Sequence, residues 1–310
     1  MKRFAFRSIF IFSALVCLFS CKSEYEALLK SNDVNLKYKA AMDYYEKGKY
    51  NRASDLFESL SMLTSGLSID DTVQFYWGKS NYNYRDFYTA ETNFQKFLEV
   101  YPTSPFASEA TFLRLECLYK QTLRYELDQA PTHKAMAAID EYISDYAPDS
   151  TARARCKEMK EDLQWRLDTK AYEAARLYYN MEDYIASKVA FRNILKDNAE
   201  NIYREDILYY IAMSSYKYAR LSVPEKQKER YIAFQDDYLN FLGEYPQSSY
   251  RRELDLMHRR SQKALGRYVG ETEDDTMSER DFVKDRKFKE RQEAIKSKGA
   301  SATQKNDAAK

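Results

Sequence analysis

The sequence predicts an all-α fold, a superhelix of about five helix–turn–helix units. Three observations carry this prediction. Turn-formers are scarce, with 7 Gly and 6 Pro against 28 Tyr in 310 residues. Glycine-rich phosphate loops and hairpin-rich sandwiches need many positive-φ positions, so this composition excludes them. Aromatic pairs seven apart recur at Tyr38/Tyr45, Phe75/Tyr82, Phe112/Tyr119, Tyr172/Tyr179 and Tyr209/Tyr216. Seven residues make two helical turns, which sets each pair on one helix face. The third observation is register. Nineteen residues after Tyr38, Phe75 and Tyr172 come Phe57, Phe94 and Phe191, each inside a second apolar stripe.

The elements follow in chain order. Residues 1–20 read as a secretory signal: Lys2, Arg3 and Arg7, then the apolar run Ile9–Val16. That run is too short to span a bilayer. It closes on Leu18-Phe19-Ser20-Cys21, which resembles a bacterial lipobox. Such signals imply a diacylglycerol and an N-acyl group on Cys21, and no other cofactor is expected. Loss of Lys2, Arg3 and Arg7 leaves 46 basic against 48 acidic residues, so no single-sign field points to nucleic acid. Lys22 rather than Asp follows Cys21, and in enteric-type lipoproteins this favours the outer membrane. Residues 21–33 are expected to be a lipidated linker.

Residues 34–148 hold units one to three. Their second helices carry Tyr50, Ala53, Phe57 and Leu60; then Phe87, Ala90, Phe94 and Phe97; then Ala135, Ile139 and Tyr142. Small residues let paired helices approach, and the large ones at i, i+4 and i+7 form the packing stripe. Tyr101-Pro102 and Pro148 stop the second and third. Residues 149–269 hold a long helix and units four and five. Thr151–Asp168 has no Gly or Pro, so it extends the first helix of unit four toward its N-terminus. The remaining second helices read Tyr184, Ser187, Phe191, Ile194 and Tyr231, Phe234, Tyr238, Phe241, the latter ending at Tyr245-Pro246. Residues 270–310 are expected to be a charged, partly disordered tail. In it a solvated helix over 281–298 has Phe282 and Phe288 as anchors, and 299–310 is disordered.

No catalytic constellation is present, and the protein is not expected to be an enzyme. No metal site is expected either: no CxxC or Cys/His spacing occurs, and the sequence has two histidines in all, His133 and His258. Cys117 and Cys156 lie inside helical patterns, far apart in sequence; they are buried thiols or, in an oxidising compartment, a disulfide.

The unit pattern, best seen in Trp77-Gly78, Ala90, Phe94 and Pro102, resembles the tetratricopeptide repeat. In that fold the seven-apart positions and the residue between them line a groove. The resemblance implies a peptide-binding face from Tyr38, Met42, Tyr45, Phe75, Lys79, Tyr82, Phe112 and Tyr119, and a partner-binding face from Tyr172, Arg176, Tyr179, Tyr209, Met213 and Tyr216. Packing between repeats is the other role open to these rings.

Lipobox, repeats, length and the elements Tyr101-Pro102-Thr103-Ser104 and Tyr245-Pro246-Gln247-Ser248 together resemble the BamD-like outer-membrane assembly lipoproteins. That resemblance implies a non-enzymatic, lipid-anchored subunit on the periplasmic face of the outer membrane. Its N-terminal units would receive unfolded outer-membrane proteins. Its C-terminal units would dock on BamA POTRA domains, beside other assembly-machinery subunits. The alternative is a tetratricopeptide lipoprotein scaffolding other envelope or peptidoglycan-synthesis proteins.

Overall fold

The structure is a computed structural model describing residues 24–146, 150–267, 269–270, 272–278 and 280–289. The signal, Cys21, Pro148 and the expectation for 299–310 lie outside the described residues. Among the described residues every long element is a helix. They are α1 (24–30), α2 (Val34–Glu46), α3 (Tyr50–Thr64), α4 (Asp70–Tyr84), α5 (Phe87–Val100), α6 (Ala107–Lys120) and α7 (Ala130–Tyr146). The second half has α8 (Ser150–Asn180), α9 (Tyr184–Asp197), α10 (Arg204–Arg220), α11 (Pro224–Glu244), α12 (Arg251–Ala264) and α13 (280–289). Helices α2 to α11 are the five expected pairs. One compact unit ends at Gln164 and a second begins at Trp165.

The turn inside a repeat is the same in units one, two and four. Gly48, Arg85 and Glu182 take φ of 71°, 69° and 63°. In each, the next amide reaches five residues back: Lys49 N to Tyr44 O at 2.9 Å, Asp86 N to Asn81 O at 3.0 Å and Asp183 N to Tyr178 O at 3.0 Å. This is a Schellman closure, which satisfies carbonyls the ending helix leaves open. Asp86 and Asp183 then cap the following helices, accepting from Thr89 N and Ala186 N. Asp33 caps α2 in the same way.

The junction between repeats is also built once and reused. In both Tyr-Pro-x-Ser elements the serine amide donates to the tyrosine carbonyl, at 3.1 Å for Ser104 and 3.2 Å for Ser248. The serine hydroxyl accepts from the amide two residues on, Phe106 and Tyr250. The next helix starts one residue later. That aromatic stacks on the first member of a seven-apart pair: Phe106 on Phe75 at 4.6 Å, Tyr250 on Tyr209 at 4.1 Å. Tyr203 does the same to Tyr172 at 4.4 Å.

The core follows from this register. First members also touch the second-helix aromatics nineteen residues on, in Tyr38–Phe57, Phe75–Phe94 and Tyr172–Phe191. Second members meet the residue opening the next helix edge to face, in Tyr45–Tyr50, Tyr82–Phe87 and Tyr179–Tyr184. Gly78 marks the closest approach: a Cβ there would lie 2.9 Å from Phe94 Cε1.

Helix α8 is 31 residues long and includes the run Thr151–Asp168 expected to extend it toward its N-terminus. Its first half packs with the first unit, because Cys156, Met159 and Leu163 form one stripe against Leu115, Leu118 and Ile139. Its second half places Tyr172 and Ala175 in the core of the second unit. Cys117 and Cys156 are buried free thiols; burial pushes the Cys117 thiol up to about 12.

Two expectations change. Within the linker, residues 24–30 form a helix whose Tyr25, Leu28 and Leu29 pack on the α2–α3 core. The fully buried Lys37 donates to Leu29 O at 3.0 Å and to Ser59 Oγ at 2.8 Å, holding α1 in place. The tail does form the expected helix over its described residues 280–289, largely exposed, but it is held to the second unit more firmly than a solvated tail. Phe282 is buried in the core of the second unit, while Phe288 stays exposed. Arg286 Nη1 lies 2.5 Å from Glu253, which is 1% exposed and also accepts from Tyr209 Oη at 2.9 Å. Arg252 pairs with Asp274. Helix α12 supplies Leu254, Leu256 and Met257 to the same core, so residues 272–278 and 280–289 cover the apolar end that a sixth repeat would otherwise cover.

Candidate peptide-binding faces

In the first unit, α2, α4, α6 and the start of α8 carry a ladder of tyrosines joined by polar groups. Asn83 Nδ2 donates to Tyr45 Oη at 3.0 Å. Tyr82 Oη donates to Glu116. Glu116 accepts from Arg155 Nε at 3.0 Å, and the Arg155 guanidinium sits over the Tyr119 ring. Tyr119 Oη donates to Asp162 at 2.8 Å. Burial raises the Tyr45 and Tyr82 phenols, and for Tyr82 the Glu116 carboxylate adds to it. These hydroxyls therefore stay protonated donors at neutral pH.

Tyr38, Met42, Tyr45, Tyr82, Phe112 and Tyr119 are half-buried. Lys79 is half-buried as well; it holds Glu109 at 2.8 Å and lies over Phe75. Phe75 has no exposed surface, so its place in the peptide-binding set is corrected to packing: Phe94, Phe97 and Phe106 enclose it. Beside Tyr82 opens a cleft of about 370 Å³, lined also by Asn83, Arg85, Phe87 and Lys120. The sequence reading did not single out Arg85 and Lys120. Arg85 reaches the site only because the left-handed turn projects it there, a conformation that no charge pattern signals.

The second unit departs further from expectation. Met213 has no exposed surface, and Tyr172, Tyr209 and Tyr216 are 6%, 5% and 2% exposed. These four are corrected from partner-binding to core residues. Tyr203 and Tyr250 stack over Tyr172 and Tyr209, and Phe234 closes over Tyr216. Arg176 and Tyr179 alone among the six keep substantial surface. Arg176 is held by Glu173 at 2.8 Å and lies over the Tyr172 ring.

No group of three or more metal-ligating side chains occurs among the described residues. No described helix is long and apolar enough to cross a membrane. What these faces offer is amphipathic aromatic surface with fixed hydroxyl donors and acceptors, suited to extended polypeptide. A family model described as YfiO, outer membrane lipoprotein, matches residues 30–231. The chain belongs to the YfiO family of outer membrane lipoproteins. The YfiO match takes in α2 through α10 and the beginning of α11. An outer membrane protein assembly factor BamD of Caulobacter vibrioides is 23% identical over 177 residues, 57% of each chain. The chain thus spans little more than half the length of that relative.

Proposed function

We propose that this YfiO-family protein is a lipid-anchored scaffold of the β-barrel assembly machinery. It receives unfolded outer-membrane proteins at the periplasmic face of the outer membrane and delivers them to BamA. The observation carrying this reading is the family match across residues 30–231, which includes the whole tyrosine ladder of the first unit. The relative named an assembly factor supports the same assignment.

Binding begins at the membrane. Acylation of Cys21 confines the protein to a surface and raises its effective concentration near partners sharing that surface. A client segment lies along Tyr45, Tyr82 and Tyr119, whose rings supply apolar area with little sequence discrimination. Arg85 and Lys120 offer cations to an acidic group or a chain-terminal carboxylate. Such contacts are individually weak, which suits a client that must move on. The scaffold does no covalent chemistry of its own.

Photocrosslinkers replacing Tyr45 or Tyr82 test the client face. Crosslinks to the terminal strand of a barrel client are expected there and not from Tyr88, which is exposed on α5. Crosslinks from Tyr88 alone would remove the ladder from the mechanism. Co-purification of BamA, with loss of many barrel proteins together on depletion, tests the assembly role. A cell-wall synthase partner in place of BamA would instead indicate an envelope scaffold of another kind.

A further inference from the structure

A cleft of about 380 Å³ opens in the second unit between α9, α10 and α11. Its floor carries hydroxyls: Ser214 Oγ donates to Ser187 at 3.2 Å and Ser215 Oγ to Asp237. Its rim carries four cations, Lys188 and Arg192 from α9 and Lys226 and Arg230 from α11, against one exposed acid, Glu229. The buried Asp237 takes Lys188 at 2.5 Å and Arg192 at 2.8 Å. Lys226 and Arg230 have no carboxylate within 4.0 Å among the described residues. Arg230 is nonetheless fixed: its guanidinium lies 3.9 Å from the Tyr218 ring centroid and donates to Ser222 Oγ. Alongside, Ile185 and Val189 stand four residues apart on α9, 52% and 51% exposed.

An aliphatic pair half in water beside two cations that lack a carboxylate partner has a specific complement. A carboxylate answers the cations, and an adjacent apolar side chain covers the pair. Phosphate alone would leave Ile185 and Val189 uncovered. A lipid acyl chain would press its methylenes on the Ser214 and Ser215 hydroxyls. We propose that this cleft binds an acidic, apolar-flanked peptide segment of a partner protein. Carboxylates go to Lys226 and Arg230, and an apolar side chain lies on Ile185 and Val189. The site is separate from the tyrosine ladder and does not depend on the client role proposed above.

A phage-displayed library of random dodecapeptides, selected against the full chain, provides the test. The winners are then measured against Lys226→Glu and against Ile185→Ser/Val189→Ser; all three positions are exposed, so folding is checked by unchanged helical circular dichroism. The expected winners combine Asp or Glu with an apolar residue, and their Kd rises by about tenfold or more in both variants. Winners without acidic residues, or an affinity unchanged in either variant, overturn the proposal. So do phosphatidylglycerol vesicles that bind the chain and lose it in Lys226→Glu while the peptides do not respond.

Discussion

At the residue scale, the same side chains recur in the same jobs, and the departures are informative. Units one, two and four all need a left-handed residue in the inner turn, but only the first supplies glycine. A side chain there costs roughly 1–2 kcal/mol in steric strain, offset in part by the entropy glycine loses on folding. Glu182→Gly is therefore expected to stabilise the protein by up to about 1 kcal/mol, read as a higher urea midpoint. A lower midpoint would mean that Glu182 makes a contact worth more than its strain. Gly78 has the opposite sign. Alanine gains up to about 1 kcal/mol of helix propensity, but its Cβ meets a Phe94 ring with no room to move. Overpacking of that kind costs about 1–3 kcal/mol, so Gly78→Ala is expected to lower the midpoint. Glycine at 78 was legible in the sequence as a small position. The left-handed turns were not, since Arg85 and Glu182 carry no local signal for that conformation.

At the element scale, the closing segment of residues 272–278 and 280–289 is the feature the sequence concealed. Its composition reads as solvated because acids and bases are mixed, yet Arg286, Asp274 and Phe282 turn toward α12 and α10, where Asp274 meets Arg252. Arg286→Met would leave Glu253 buried with only the Tyr209 hydroxyl to answer it. Losing one partner of a buried pair costs about 3–5 kcal/mol. The double variant Arg286→Met/Glu253→Met is expected to be more stable than Arg286→Met alone. Equal stability of the two would deny the coupling. Acid acts on the same segment. The Arg252 hydrogen bond holds the Asp274 carboxyl below its usual range, so the folded state favours the charged form. That contribution is complete above the unfolded carboxyl pKa and is lost as pH falls through the lower folded value. Amide exchange in 280–289 is expected to accelerate below about pH 4 before exchange in α10 does. Simultaneous loss of protection in both would show that the segment is not a separate closing element.

At the scale of the whole molecule, the proposed protein has an anchor, a repeat array and two candidate binding faces. The anchor is tested by Cys21→Ser: incorporation of radiolabelled palmitate is expected to vanish and the protein to leave the membrane fraction. Membrane recovery without palmitate would place attachment elsewhere. Helix α8 serves both compact units along one continuous helix, since Cys156, Met159 and Leu163 belong to one core and Tyr172 and Ala175 to the other. The uninterrupted run Thr151–Asp168 predicted the helix. It did not say which unit would claim each half, because that depends on which neighbouring stripe each half meets.

The sequence by itself determined the fold class, the five helix pairs and the spacing of the aromatics. Those follow from period and register, and a residue's position modulo the repeat sets its helix and its face. Only the tertiary structure decided which rings are sealed. Tyr45 and Tyr209 are both ladder positions, yet one is half in solvent and the other lies beneath Tyr250 and Arg286. What separates them is not their own helix but whatever the chain lays over it, from α12 and the segment beyond. Periodicity describes how a helix faces its neighbours, whereas exposure depends on whether a further element arrives to cover that face.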